Sequence, residues 1–207
     1  MPVVAVVNPK GGVGKTTLAT NLAGAFAAQG HRTMLGDLDR QQSSRDWLSL
    51  RPEGLAPIEG WDEAGEGGLR RPPAGVTHVV LDTPAQIEAS RLAEVLKLAD
   101  RVLLPMQPSM LDVLAMQRFL RELERALRGR ARLHGRVGVV GMRVDARTRA
   151  AEELERFLAG LGLPVVATLR DTQNYVQLTA HGLTLFDLPP QRVERDLQSW
   201  EPLLRWL

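Results

Sequence analysis

Residues Lys10-Gly11-Gly12-Val13-Gly14-Lys15-Thr16-Thr17 narrow the folds open to this chain more than any other segment. The β-branched run 3–7 precedes them. Leu18, Leu22, Ala25 and Phe26 follow at helical spacing, and Gly30 closes that helix. A strand, a glycine-rich turn and a helix in this order let main-chain N–H groups point inward, beside the positive end of the helix dipole. Such a loop is a phosphate site. Lys15 can reach the β- and γ-phosphates of a nucleotide, and the Thr16 hydroxyl can face Mg²⁺. The general pattern has glycine at position 9, where this chain has Pro9, and the loop carries a second lysine, Lys10.

The rest of the chain repeats the strand–helix alternation. Apolar runs at 33–38, 76–81, 101–106, 136–142 and 164–168 read as strands, each a continuous run and not an alternating one. Helical spacing covers 88–98, 111–127, 150–161, 174–180 and 191–207. Residues 50–76 hold glycine, proline and charge with little period and read mostly as loop. Continuous apolar strands alternating with helices predict an α/β fold: a doubly wound, mainly parallel sheet with helices on both faces. We expect one domain over residues 1–207. There is no cysteine, which removes disulfides, thiolate metal sites and a cysteine nucleophile. The apolar run 3–7 is too short for a signal segment, and no run approaches the roughly 20 apolar residues that cross a bilayer. A cytoplasmic protein is the expectation.

Ligands of such sheets sit beyond the carboxyl ends of the strands, and the remaining motifs lie there. Asp37 and Asp39 end the second strand in Gly36-Asp37-Leu38-Asp39-Arg40-Gln41. Two residues apart, they share a face if the strand continues. Asp82 ends the third in Val79-Val80-Leu81-Asp82-Thr83-Pro84. An acid after an apolar strand suits holding Mg²⁺ through water.

The octapeptide resembles the deviant Walker A motif of the ParA/MinD ATPases, with Lys10 matching their signature lysine. The segment at Asp37 resembles that family's D-x-D-P-Q, with Arg40 in place of proline. The segment at Asp82 resembles D-T-P-P, with Ala85 in place of the second proline. Leu104-Pro105-Met106-Gln107-Pro108-Ser109 and Asp112 resemble the P-x-Q-P-S-x-x-D of small plasmid-partition ParA proteins. The resemblance implies a P-loop NTPase fold, ATP and Mg²⁺ as ligands, and slow hydrolysis in the isolated protein. ATP would be bound by Lys10, Gly11, Gly12, Val13, Gly14, Lys15, Thr16 and Thr17. Lys10, Lys15 and Asp39 would serve catalysis, Lys10 across a dimer and Asp39 on the attacking water. Thr16, Asp37 and Asp82 would attend the metal. Met142 and Arg143 stand where relatives often offer asparagine to adenine. Met142 cannot make those hydrogen bonds, so main-chain groups or residues around 170–172 are the other candidates.

The same resemblance implies an ATP-dependent homodimer, non-specific DNA binding, nucleoid association with ATP, and a ParB-like or other small activating partner. Formal net charge is only +2, but residues 118–149 hold ten arginines against Glu122, Glu124 and Asp145. Such a block attracts polyanions. Arg147, Arg149, Arg170, Arg192 and Arg195 are the candidate DNA contacts. A membrane switch is the competing reading, since Leu197, Trp200, Leu204 and Leu207 form an apolar stripe. Its polar side is not enriched in base, however, and Pro202 interrupts it. An iron–sulfur reductase of the same fold needs cluster cysteines that are missing. The four histidines have no metal-ligand spacing, and the four tryptophans read as packing residues.

Overall fold

The computed structural model describes residues 2–61, 64–65, 68–127, 135–145, 160 and 162–207. Chain order is β1 (Val3–Val6), α1 (Lys15–Ala28), β2 (Thr33–Asp37), α2 (Ser43–Ser49), β3 (Ile58–Trp61), the short β4 (Ala64–Gly65) and β5 (Gly68–Leu69), then β6 (His78–Asp82), α3 (Ala89–Leu98), β7 (Arg101–Met106) and α4 (Met110–Ala126). β8 (Val137–Val144), β9 (Val165–Arg170), α5 (Asn174–Thr179), a 3₁₀ turn (Leu185–Asp187) and α6 (Pro190–Trp206) complete it. The helix expected at 150–161 lies outside the described residues, save Gly160.

Seven strands form one sheet in the order β3-β2-β6-β1-β7-β8-β9. Every pairing in it is parallel. β4 and β5 form a separate antiparallel pair. The central strand shows why the sheet needs two covers. Val3, Ala5 and Val7 join one apolar cluster with α3 and α4 residues such as Val95 and Leu123. Val4 and Val6 join another with Leu18, Leu22, Trp200 and Leu203. Side chains alternate across a strand, so a run apolar at every position must be buried on both faces. The doubly wound α/β fold is therefore the one observed.

Two sequence expectations change. Residues 50–76 include β3, which pairs with β2 at the sheet edge. Only Trp61 of its four residues is buried, so a half-exposed edge strand left no period to detect. Pro202 does not end the last helix, which runs to Trp206. Proline removes one N–H from the ladder, but Trp200 and Leu203 beside it are fully buried and hold the segment against the sheet. Trp47, Trp61 and Trp200 are core residues, as expected.

Candidate nucleotide site

β1 enters the site through Asn8, whose amide is buried. Asn8 Nδ2 donates to Pro105 O (2.6 Å), and Asn8 Oδ1 accepts from Lys10 N (2.8 Å). The start of the loop is thereby tied to the end of β7. Gly12 and Gly14 take φ of 75° and 95°, values that cost other residues roughly 1–2 kcal/mol. At Gly14 an added Cβ would also stand 2.9 Å from Met142 Cε. The Lys15 ammonium donates to Lys10 O (2.9 Å), folding back over the loop. Burial lowers its pKa, while Asp82 and Asp39 act in the opposite sense. Gln107 Nε2 donates to Gly12 O (3.0 Å) and clamps the loop from the side.

Asp82 is the most constrained carboxylate here. Thr16 Oγ1 and Ser44 Oγ both donate to its Oδ2, each at 2.7 Å. Its Oδ1 is buried with no hydrogen-bond partner. Burial pushes the Asp82 pKa up to about 6, against the two hydroxyl bonds. A buried anionic oxygen without a partner is costly, and here it lies beside the threonine hydroxyl of a phosphate loop. Mg²⁺ takes one or two carboxylates and completes its shell with phosphates and water. Thr16 and Asp82 fit that ion. Among the described residues no group of three or more His, Cys, Asp or Glu side chains could by itself hold a metal ion.

Asp37 pairs in register with Asp82 across β2 and β6. Its carboxylate accepts from the main-chain N–H groups of Asp39 (3.0 Å), Ser44 (2.7 Å) and Arg45 (3.1 Å). It anchors the first turn of α2 and so carries Ser44 to Asp82. Asp39 is partly buried, and its Oδ1 accepts from Gln41 N (3.0 Å). Its charge reaches the Lys15 ammonium. Lys10 does not turn into its own loop. Its ammonium pairs with the Asp112 carboxylate at the start of α4. The Asp112 side chain is 1% exposed and that of Lys10 is 41% exposed.

A cavity of about 580 Å³ opens beside Val13, Gly14 and Thr17. Met142 and Arg143 form one side. The register of β8 on β9 jumps between Gly141 and Val144, and Arg143 takes φ 52°. This bulge aims Arg143 at the cavity. The facing wall comes from residues 171–173 and from Tyr175 and Val176 of α5. Both proposed sources of base contacts, 142–143 and the segment near 170–172, thus meet at one cavity.

The arginines divide. Arg147 and Arg149 lie outside the described residues. Arg170 Nη1 is paired with the buried Asp196 carboxylate (2.8 Å), so part of its donor set is committed within the chain. Arg192 and Arg195 are exposed on α6. Sequence reasoning missed Ser44, Asn8 and Asn21. Asn21 Oδ1 accepts from Leu185 N (3.0 Å) and joins α1 to the 3₁₀ turn. No spacing links Ser44 to the motifs; Asn8 and Asn21 flank the octapeptide, but only the fold brings them their partners in β7 and the 3₁₀ turn.

Residues 4–185 match the family model described as the CobQ/CobB/MinD/ParA nucleotide binding domain. The chain belongs to this family. A maintenance of carboxysome distribution protein A from Gloeobacter kilaueensis is 36% identical over 190 residues, covering 88% of this chain and 83% of that protein. The chromosome-partitioning ATPase Soj of Thermus thermophilus is 31% identical over 186 residues, 73% of each chain. Among solved structures, a putative plasmid partition protein from Borrelia burgdorferi B31 bound to AMPPNP superposes with a TM-score of 0.73 over 100% of this chain and 99% of that one, at 16% identity. The ParA/MinD relationship expected from the octapeptide is therefore established, and with it the identity of this chain as a P-loop ATPase of that family. No helix among the described residues is long and apolar enough to cross a membrane.

Proposed function

We propose that this ATPase is a positioning switch. It dimerises with ATP, binds DNA without sequence preference, and is released when a partner protein stimulates hydrolysis, so that a DNA or protein cargo is partitioned or spaced. The relatives named for carboxysome distribution and chromosome partitioning support such a role. The observation that carries the proposal is Lys10. Its ammonium is held at the mouth of the site by Asp112, half open to solvent and turned away from its own loop. A cation so placed is available to the phosphates of a second copy.

In this reading the loop amides and Lys15 hold the phosphates, and Asp39 orients the attacking water. Magnesium, held by Thr16 and Asp82, would supply charge to offset the developing negative charge of the phosphoryl group. Lys10 adds charge only in the dimer, which couples turnover to assembly. Arg192 and Arg195 are the described candidates for DNA phosphates. The membrane alternative receives less support, because α6 directs Val193, Trp200 and Leu203 into the core.

The test combines light scattering with DNA binding, each with ATP, ADP or no nucleotide, at two salt concentrations. The wild type should dimerise and bind DNA only with ATP, with affinity falling steeply as salt rises. Lys10→Ala should still bind ATP as a monomer and lose both. Dimerisation and DNA binding that ignore the nucleotide would overturn the proposal, and ATP-dependent pelleting with liposomes would favour the membrane reading.

A further inference from the structure

The cavity wall at 171–176 is shaped from behind by α6. Asp196 lies on that helix and is 3% exposed. Its Oδ1 accepts from Arg170 Nη1 (2.8 Å), and its Oδ2 accepts from Asn174 Nδ2 (2.6 Å) and, at the limit of range, from Thr172 Oγ1 (3.5 Å). The three donors belong to one short connection, from the end of β9 to the first residue of α5. That connection carries Asp171, Thr172 and Gln173, which line the cavity. One helical turn beyond Asp196, Trp200 Nε1 donates to the Tyr175 hydroxyl (2.8 Å), and Tyr175 lines the same cavity. Residues four apart share a helix face, so one face of α6 holds the wall at Arg170, Thr172, Asn174 and Tyr175. Both residues lie beyond the stretch that matches the family model.

A buried carboxylate is a poor source of stability, since its desolvation cancels most of what its partners return. Its strength is geometric: it fixes several donors around one point. The cavity adjoins Gly14 and Thr17 of the phosphate loop, so the part of a ligand that reaches it is the nucleoside. The wall offers the Asp171 carboxylate and the Gln173 amide over the apolar surface of Tyr175 and Val176, which suits a flat heterocycle with a polar edge.

We propose that Asp196 is the positioning residue that sets base affinity at this site, acting through the 170–174 connection and never touching the ligand. The inference rests on the nucleotide reading of the site. The experiment measures binding of Mg-ATP and of Mg-tripolyphosphate, which has no base, to the full chain and to Asp196→Asn. Losing charge-assisted bonds to the connection should weaken ATP about 10-fold and raise KM in proportion, with kcat at saturation and tripolyphosphate affinity held. The swapped pair Asn174→Asp/Asp196→Asn keeps a carboxylate in the network and should recover most of the lost affinity. Should Asp196→Asn not fold, Asn174→Ala removes one arm and should weaken ATP about threefold by the same selective pattern. Unchanged ATP affinity would overturn the inference, as would equal losses of ATP and tripolyphosphate. A wild type that binds neither would instead remove the nucleotide reading itself.

Discussion

The loop at the proposed phosphate end of the cleft is one stretch, residues 8–17, with Asp82 and Gln107 bonded to it from the ends of other strands, whereas the proposed base end is gathered from β8, the 170–174 connection, α5 and α6. In the proposed function the first binds through main-chain N–H groups on a glycine-rich turn, so its parts must be contiguous. The second would bind through side chains and a shaped wall, and its parts come from anywhere the fold can bring them. Contiguous chemistry should fail all at once when one residue is lost. Distributed chemistry should fail by degrees.

Lys15→Ala tests the first half most severely. It removes the ammonium that lies over the loop at Lys10 O and with it the counter-charge for the phosphates. Binding of ATP should fall by about 100-fold or more, as loss of a desolvated charge pair costs several kcal/mol. Tripolyphosphate should be lost equally. Isothermal titration of both ligands checks this, and an affinity near that of the wild type would refute the phosphate assignment.

This division explains what could be read from the sequence. The loop was legible because its glycines, lysines and threonines are adjacent and lie between a strand and a helix. The strands were legible because burial on both faces leaves unbroken apolar runs such as Val3 to Val7. β3 was not, because it is an edge strand with one buried residue. Ser44 was not, because nothing near it in the chain announces that Asp37 will draw α2 toward Asp82. The base wall was least legible. Its support depends on Asp196 meeting Arg170 and Asn174, contacts 22 to 26 residues apart, and on a bulge in β8 that is created by pairing with β9.

Asp82→Asn sharpens the comparison by separating charge from shape at the phosphate end. The folded-state pKa of Asp82 is raised from 3.8 to about 6. Folding therefore favours the protonated acid. This contribution is intact below about pH 4, declines as pH rises through 6, and is gone above it. At pH 7 to 8 without magnesium the ionised group costs the fold roughly 3 kcal/mol. Asparagine removes that charge, although its own amide also lacks a partner, so a gain of about 1–2 kcal/mol is expected. Melting in EDTA at pH 5 and pH 8 should show the wild type losing stability at the higher pH relative to the variant. Magnesium should strengthen nucleotide binding to the wild type and have little effect on the variant. A variant still strengthened by magnesium would mean that the ion is held elsewhere.

Arg143→Gly is the mildest test and addresses the distributed half. Arg143 takes φ 52° in the β8 bulge and lines the cavity. A left-handed conformation costs a non-glycine residue about 1–2 kcal/mol, and such strain persists where the surroundings fix it. Glycine adopts the same backbone freely. Its greater entropy in the unfolded chain returns part of the gain, leaving a rise of roughly 1 kcal/mol, or about 2–4 °C in Tm. If the bulge exists to aim Arg143 at the ligand, ATP affinity should fall about three- to fivefold while tripolyphosphate binding is unchanged, the loss of one exposed polar contact. Opposite movement of stability and affinity is the signature sought. A variant that gains stability and keeps its affinity would show that the strained arginine contributes nothing to the base end, and that the bulge serves only the fit of β8 against β9.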